Sequence, residues 1–363
     1  MPKKVWHIRL NENDTADSAR RKLSALVDRS GVLDIVEKDD FSGIKLHFGE
    51  KNNTGHIEPH FVRAIAAAVS KRTKNTFLTD TNVLYKNSLR ANSVDHLKIA
   101  SDHGFSLEKM GIPVIISDGI LGKDYAEIEI SKKHFKKVKI ARDIASCDSI
   151  VVLTHVTGHM YTGLGGAIKN LGMGCASRRG KYEQHSGAIP EVEAGFCIGC
   201  ARCAVNCPGP AGTIAMKDGI AAINASLCLG CGECVVVCRT KAIGIKWSEK
   251  LENLQQKMVE YAYGALKAVN GKAAYISFLT KITKNCDCIA EDEERVTEDL
   301  GILASFDPVA IDKAAADIIN TASGCDLLSE VNPDTKWRCQ VDYAASIGLG
   351  DIDYELIEIN KGE

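Results

Sequence analysis

Two stretches of this chain repeat one cysteine pattern that few folds can satisfy. The first, CIGCARCAVNCP, carries Cys197, Cys200, Cys203 and Cys207; the second, CLGCGECVVVC, carries Cys228, Cys231, Cys234 and Cys238. Each cysteine of the second lies 31 positions after its counterpart in the first. Three thiolates at two-residue intervals can wrap three irons of one cubane from a single tight loop, so the fourth must arrive from a distant segment. In this run the fourth cysteine serves the other cluster. The spacing therefore predicts two 4Fe–4S clusters, one on Cys197, Cys200, Cys203 and Cys238, the other on Cys228, Cys231, Cys234 and Cys207. Each cluster would staple the two halves of the segment together.

The spacing is that of bacterial two-cluster ferredoxins. Gly199, Gly230 and Gly232 would let backbone N–H groups approach the sulfur atoms. Pro208 follows Cys207 as the run expects, whereas Arg239 follows Cys238. Zinc fits less well, because its sites pair two short cysteine motifs on one ion. Disulfides need an oxidising compartment. The fourteen cysteines occur without a secretion signal, since no apolar core follows the basic start MPKKVWHIRL. That combination points to a reducing, cytoplasmic setting. A net charge of −2 offers no basic field for nucleic acid, and no apolar run reaches transmembrane length.

With 363 residues there is room for a large core and a second, smaller domain. Strand-like and helix-like stretches alternate before the cysteine runs. Strands are expected at 5–10, 43–49, 76–80, 112–118 and 149–156, with shorter ones at 127–130 and 136–140. Helices are expected at 15–30, 59–72 and 89–103. After the cysteine runs come a helix over 249–269, strands at 273–279 and 300–303, and a helix over 308–322. This alternation predicts an α/β fold with a largely parallel sheet and helices on both faces. The tail is too small to build its own sheet. Residues 1–186 and 248–363 are therefore expected to form one discontinuous α/β domain, with a ferredoxin-like α+β domain inserted at 187–247; three domains in series is the alternative.

A second constellation, HVTGHMYTGLGGAIKNLGMG, follows the apolar strand. It places His155 and His159 four apart, then Gly163, Gly165 and Gly166, then Lys169 and Asn170. A glycine-rich turn between strand and helix exposes backbone N–H groups to an anion. Lys169, one turn into the helix, would hold a phosphate or carboxylate. Neither a Walker loop nor a dinucleotide fingerprint is present, Ile168 standing where the third glycine would be. Asp80 ends one predicted strand, and Lys45, His47 and Glu50 lie near the end of another. Asp307 precedes Pro308 at a helix start, with Asp312 further on, and Asp307 either faces the same crevice or only caps the helix. Cys286 and Cys288, in NCDCIAED, form a Cys-x-Cys pair suited to a soft metal or a reactive thiol, with Cys175 as a further partner. Cys147, Cys325 and Cys339 read mostly as packing residues.

THVTGHMYTGLGGAIKNLGMGCASRRGK and the later DLGILASFDPVAID resemble the family called domain of unknown function three-sixty-two. LHFGE, FLTDTNVLY, SDGILGKD and CDCIAEDEE also follow that family's pattern. The resemblance covers nearly the whole chain. It implies the α/β body and an inserted ferredoxin pair, and it implies no reaction.

Together these features predict an iron–sulfur oxidoreductase of unspecified substrate. A redox partner protein would supply single electrons, and the clusters would pass them to an anionic small-molecule ligand or metal in the α/β domain. Its site residues would be His155, His159, Lys169, Asp80 and Asp307, with Gly163, Gly165, Gly166, Lys169 and Asn170 holding the ligand and a third metal centre at Cys286 and Cys288. His155 or His159 would move protons. The competing expectation is an electron carrier or a metal- or cluster-delivery protein that docks a separate enzyme. A homodimer is the expected assembly on base rates alone.

Overall fold

The computed structural model describes residues 1–11, 13–84, 88–185, 190–228, 232–244 and 250–359. Eight strands form its main sheet: β1 (Lys3–Ile8), β2 (Ser42–Lys45), β3 (Thr76–Asp80), β4 (Val114–Ile116), β5 (Ser149–His155), β6 (Ala273–Leu279), β7 (Gly301–Ser305) and β8 (Tyr354–Glu358). Their order across the sheet is β8-β1-β7-β6-β5-β2-β3-β4. Only β7 runs antiparallel to its neighbours β1 and β6; the other pairs are parallel. Among the helices are α1 (Ala16–Ser30), α2 (Pro59–Ser70), α3 (Ala167–Gly172), α4 (Arg178–His185), α5 (Glu233–Val237), α6 (Leu251–Ala268) and α7 (Pro308–Ser323).

Local chemistry sets the element ends. The Thr15 side chain accepts from Ser18 N–H to start α1, and Gly31 closes the helix at φ 65° with its N–H on the Val27 carbonyl. The central strands are buried on both faces, as a covered parallel sheet requires. Ile150 and Val152 of β5 face one apolar cluster, which α6 and α7 complete. Val151 and Leu153 face the other, which α1 and α2 complete.

Strands β2, β3 and β4 step outward in sequence order, and β5 returns to the other side of β2. The chain thus reverses its direction of travel across the sheet between β2 and β5. Such a reversal opens a crevice outside the carboxyl ends of the strands.

The described residues of the segment 190–244 contribute no strand to the main sheet. It makes two small pairs, Glu191–Val192 with Ile243–Gly244 and Ile214–Lys217 with Ile220–Ile223. The 31-residue repeat is visible in its backbone. Ala201 (φ 55°) and Gly232 (φ 69°) take the same left-handed conformation before the short helices Arg202–Val205 and α5. A small apolar cluster unites Cys203, Cys234, Val235 and Ile243 with two residues from outside the segment, Leu84 and Tyr182. Among the described residues, no helix is long and apolar enough to cross a membrane.

The candidate active site

A crevice opens at the reversal point, and most of the residues singled out in the sequence converge on it. Lys45 comes from the end of β2, Asp80 from the end of β3 and His155 from the end of β5. His159, Gly165, Gly166, Lys169 and Asn170 come from the glycine-rich stretch. His47, Cys286 and Cys288 complete that set. Two predicted residues are elsewhere. Asp307 caps α7, its Oδ1 accepting from Val309 and Ala310 N–H at 2.9 Å, and its Oδ2 accepts from Asp351 N–H at 3.1 Å. Gly163, at φ 70°, packs beside Thr335 and Trp337.

The cysteine pair is the chemical centre of the crevice. Lys169 Nζ lies 3.0 Å from Cys286 Sγ and 3.7 Å from Cys288 Sγ. The Cys288 thiol donates to Cys286, and with the Lys169 ammonium it holds Cys286 down to about 5 despite burial. Cys288 is pushed up by the same thiol–thiol hydrogen bond and by burial. His47 Nδ1 accepts Gly49 N–H at 2.9 Å, so its proton sits on Nε2, 3.6 Å from Cys288 Sγ. A thiolate beside a lysine is a nucleophile and a soft-metal ligand. Cys175 does not join them: it is buried in the core, where its thiol is pushed up to about 11 by desolvation.

The two histidines expected to move protons line the crevice in different states. His155 directs Nδ1 to the Asp287 carboxylate at 2.8 Å and Nε2 to the Thr280 carbonyl at 2.6 Å. Its pKa is raised, with Asp287 overcoming the opposing effect of burial. Both N–H groups are thus committed, and the imidazolium clamps the residue between the two cysteines. His159 Nδ1 accepts two backbone N–H groups, from Tyr161 and Thr162, each at 3.1 Å. Burial and then Lys169 hold His159 well below the usual imidazole range, so it stays neutral.

The glycine-rich turn also differs from expectation. Its helix does begin with free-standing backbone donors, but the Asp312 carboxylate occupies them, accepting from Ala167 at 2.6 Å and Ile168 at 2.9 Å. A side chain at Gly166 would collide with that carboxylate. Lys45 is likewise engaged, with Asn170 Oδ1 at 2.7 Å and Asp80 Oδ1 at 3.0 Å. Asn170 reaches back to the Leu153 carbonyl at 2.8 Å. These contacts tie the ends of β2, β3 and β5 to α3.

Four residues at this site are not singled out individually by the sequence, although Lys181 and Asp287 lie in stretches of the family pattern. Asp287 is legible there only as the middle of a Cys-x-Cys pair. Arg90, Lys181 and His185 also line the cavity. Lys181 is fully buried, and its ammonium is met by Thr81 Oγ1 and the Asn82 and Ala176 carbonyls. Burial lowers its pKa to about 8.

The cysteine runs fall into two groups by contact. Cys197 and Cys238 stand near enough to Cys203 to raise its pKa, although burial is the larger cause. Cys207, Cys228 and Cys234 line one small cavity with Pro208 and Gly232. Cys200 is exposed, and Cys231 lies outside the described residues. Backbone N–H groups of Ala221 and Gly199 point at the Cys197 sulfur and lower its pKa. Among the described residues no three His, Cys, Asp or Glu side chains converge closely enough to hold a single metal ion. A cubane spreads its thiolates wider than one ion does.

No curated protein sequence matches the chain. Among solved structures, a protein from Thermotoga maritima is similar over 87% of this chain and 61% of its own, with 13% identity and a TM-score of 0.45. The lactate racemase apoprotein from Thermoanaerobacterium thermosaccharolyticum is similar over 88% of this chain and 57% of its own, with 10% identity and a TM-score of 0.43. The chain therefore spans less than two thirds of the length of either. The model of the domain of unknown function (DUF362) matches residues 43–317, most of the chain, and the protein belongs to that family.

Proposed function

We propose that this protein is an iron–sulfur oxidoreductase, its segment 190–244 acting as a ferredoxin-like domain that serves the crevice of the α/β body. Two 4Fe–4S clusters, when bound by the eight cysteines, supply single electrons. The observation that carries this reading is helix α4, which faces both places. Its Tyr182 is wholly buried among Cys203, Cys234 and Leu84, and its Lys181 and His185 line the crevice. Leu84 belongs to both as well. Helix α4 thus contributes side chains both to the cysteine-bearing segment and to the crevice.

Within the crevice Cys286 and Cys288 would hold the electron-accepting ligand or metal, or act as a thiol pair. Lys169 keeps Cys286 ionised, His47 steadies Cys288, and the His155–Asp287 pair fixes the loop between them. Phe196, Ile198 and Val205 are exposed within a few residues of the exposed Cys200 in the chain and would receive an external electron-donor protein. That apolar surface also favours the second reading, a carrier or cluster-delivery protein that docks a separate enzyme.

The test is iron and acid-labile sulfide content of protein purified without oxygen, beside a Cys286→Ser/Cys288→Ser variant. About eight irons per chain are expected from two cubanes. Much less iron in intact protein would sink the proposal. Extra metal that disappears in the variant would establish a third centre, and its absence would shift weight to the thiol pair or the carrier reading.

A further inference from the structure

Arg90 is buried to 1% exposure at the wall of the crevice. Its Nε donates to Glu50 Oε2 at 3.2 Å, and the Ser88 hydroxyl donates to the same oxygen. Glu50 therefore fixes one edge of the guanidinium plane. Nη2 has no hydrogen-bond partner among the described residues. A buried guanidinium N–H left unpaired is costly, and one that lines an open crevice calls for a partner there.

The crevice's other devices for holding an anion are in use. Asp312 takes the N–H groups at the start of α3. Lys45 faces Asp80 and Asn170. Lys169 sits on the cysteine pair, and Lys181 is met by three oxygens. We infer that Arg90 is the anion-binding residue of the crevice, and that the substrate is a small carboxylate held between Arg90 and the Cys286–Cys288 pair. With Nε committed to Glu50, Nη2 is the buried donor left open, and a charged hydrogen bond from it suits an oxygen of a small, planar carboxylate. This deepens the oxidoreductase reading only in calling the anion a substrate; the anion site itself stands on Arg90.

The experiment is alkylation of Cys286 in the cluster-loaded protein, located by peptide mapping. Iodoacetate and iodoacetamide both form an S–C bond as the C–I bond breaks and iodide leaves, but only iodoacetate carries a carboxylate. Relative to a free thiol, Cys286 is expected to favour iodoacetate by at least about tenfold, the scale of one charged hydrogen-bond pair. Acetate should protect it. Arg90→Gln should abolish the preference, and Arg90→Lys, which keeps the charge beside Glu50 but loses the Nη2 donor, should weaken it. Equilibrium dialysis with radiolabelled acetate reads the same site without thiol chemistry, with a single acetate per chain expected. No saturable acetate binding to the unaltered protein overturns the inference, whether or not the variants fold. Inorganic phosphate displacing iodoacetate where acetate does not would overturn the carboxylate assignment. Acetate binding in a protein whose clusters prove absent would sink the oxidoreductase reading and leave the anion site standing.

Discussion

Cys286 owes its acidity to two neighbours rather than to exposure, since a hydrogen bond from Cys288 and the charge of Lys169 both act against its burial. Lys169→Met should therefore move the midpoint for iodoacetamide labelling of Cys286 upward from about 5 by at least about one unit. An unmoved midpoint would mean that Cys288 alone sets it. The His155–Asp287 pair is buried on both sides, with side chains 4% and 7% exposed. Asp287→Asn removes one partner of a buried pair and should cost about 3–5 kcal/mol in denaturant unfolding; a loss under about 1 kcal/mol would show that the pair is not the clamp described. The pH dependence has a definite sign. Asp287 is lowered to about 2, mainly by His155 acting against burial. Its contribution is present above the unfolded carboxyl pKa of about 4 and is lost as pH falls toward 2. The His155 pKa is raised, so its contribution is full below the unfolded value of about 6.5 and is lost as pH rises through the folded value.

At the level of elements, α3 is held in place by a carboxylate from α7. Burial pushes Asp312 up to about 7, against the lowering effect of the Ile168 and Ala167 N–H groups. A raised carboxyl pKa gives stability that is complete below the unfolded value of about 4 and disappears as pH rises through about 7. Asp312→Asn keeps one acceptor and loses the other, so at pH 5 it should cost about 1 kcal/mol. The gap to the unaltered protein should narrow by pH 8, where the ionised carboxylate is itself penalised. A gap that widens with pH would contradict this assignment. Helix α4 depends on another close approach, because a side chain at Gly232 would stand 2.2 Å from the Tyr182 ring. Gly232→Ala also strains a left-handed backbone at φ 69°. On the proposed two-cluster reading the variant, purified without oxygen, should lose up to about half its iron.

For the molecule as a whole, the main sheet and the cysteine-bearing segment rest on different forces. The sheet has extensive apolar clusters on both faces. The segment 190–244 has a handful of buried apolar residues, and its cluster borrows two more from outside it. So small a core rarely stabilises a fold alone, and metal ligation commonly makes up the difference. Removing iron with a chelator should therefore unfold the segment selectively. Proteolysis should cut within 190–244 and spare the body, and heating should show a second transition that iron-loaded protein lacks. Equal resistance of both parts after iron removal would argue against cluster-dependent folding.

Much of this architecture is written in local pattern. The 31-residue cysteine repeat, the apolar runs of β3, β5 and β6, and the Thr15–Gly31 limits of α1 depend on neighbours a few residues apart, and all are legible in sequence. Strand β8 is not, because its exposed residues at the sheet edge lack an apolar run. The crevice can be sketched, since Lys45, Asp80, His155, Lys169 and Cys286 each end a strand or lie in a marked stretch. Their partners cannot be inferred. Asp312 meets α3 from 145 positions away, Asp287 meets His155 from 132, and Arg90 meets Glu50 from 40. Those pairings decide which histidine is charged, which helix N-terminus is already filled and which cation keeps an unused donor. The sequence by itself determined the residue chemistry and the element pattern, because both arise from side-chain type and short-range periodicity. Only the tertiary structure decided the protonation and availability of each group, because those depend on burial and on charges brought together from remote parts of the chain.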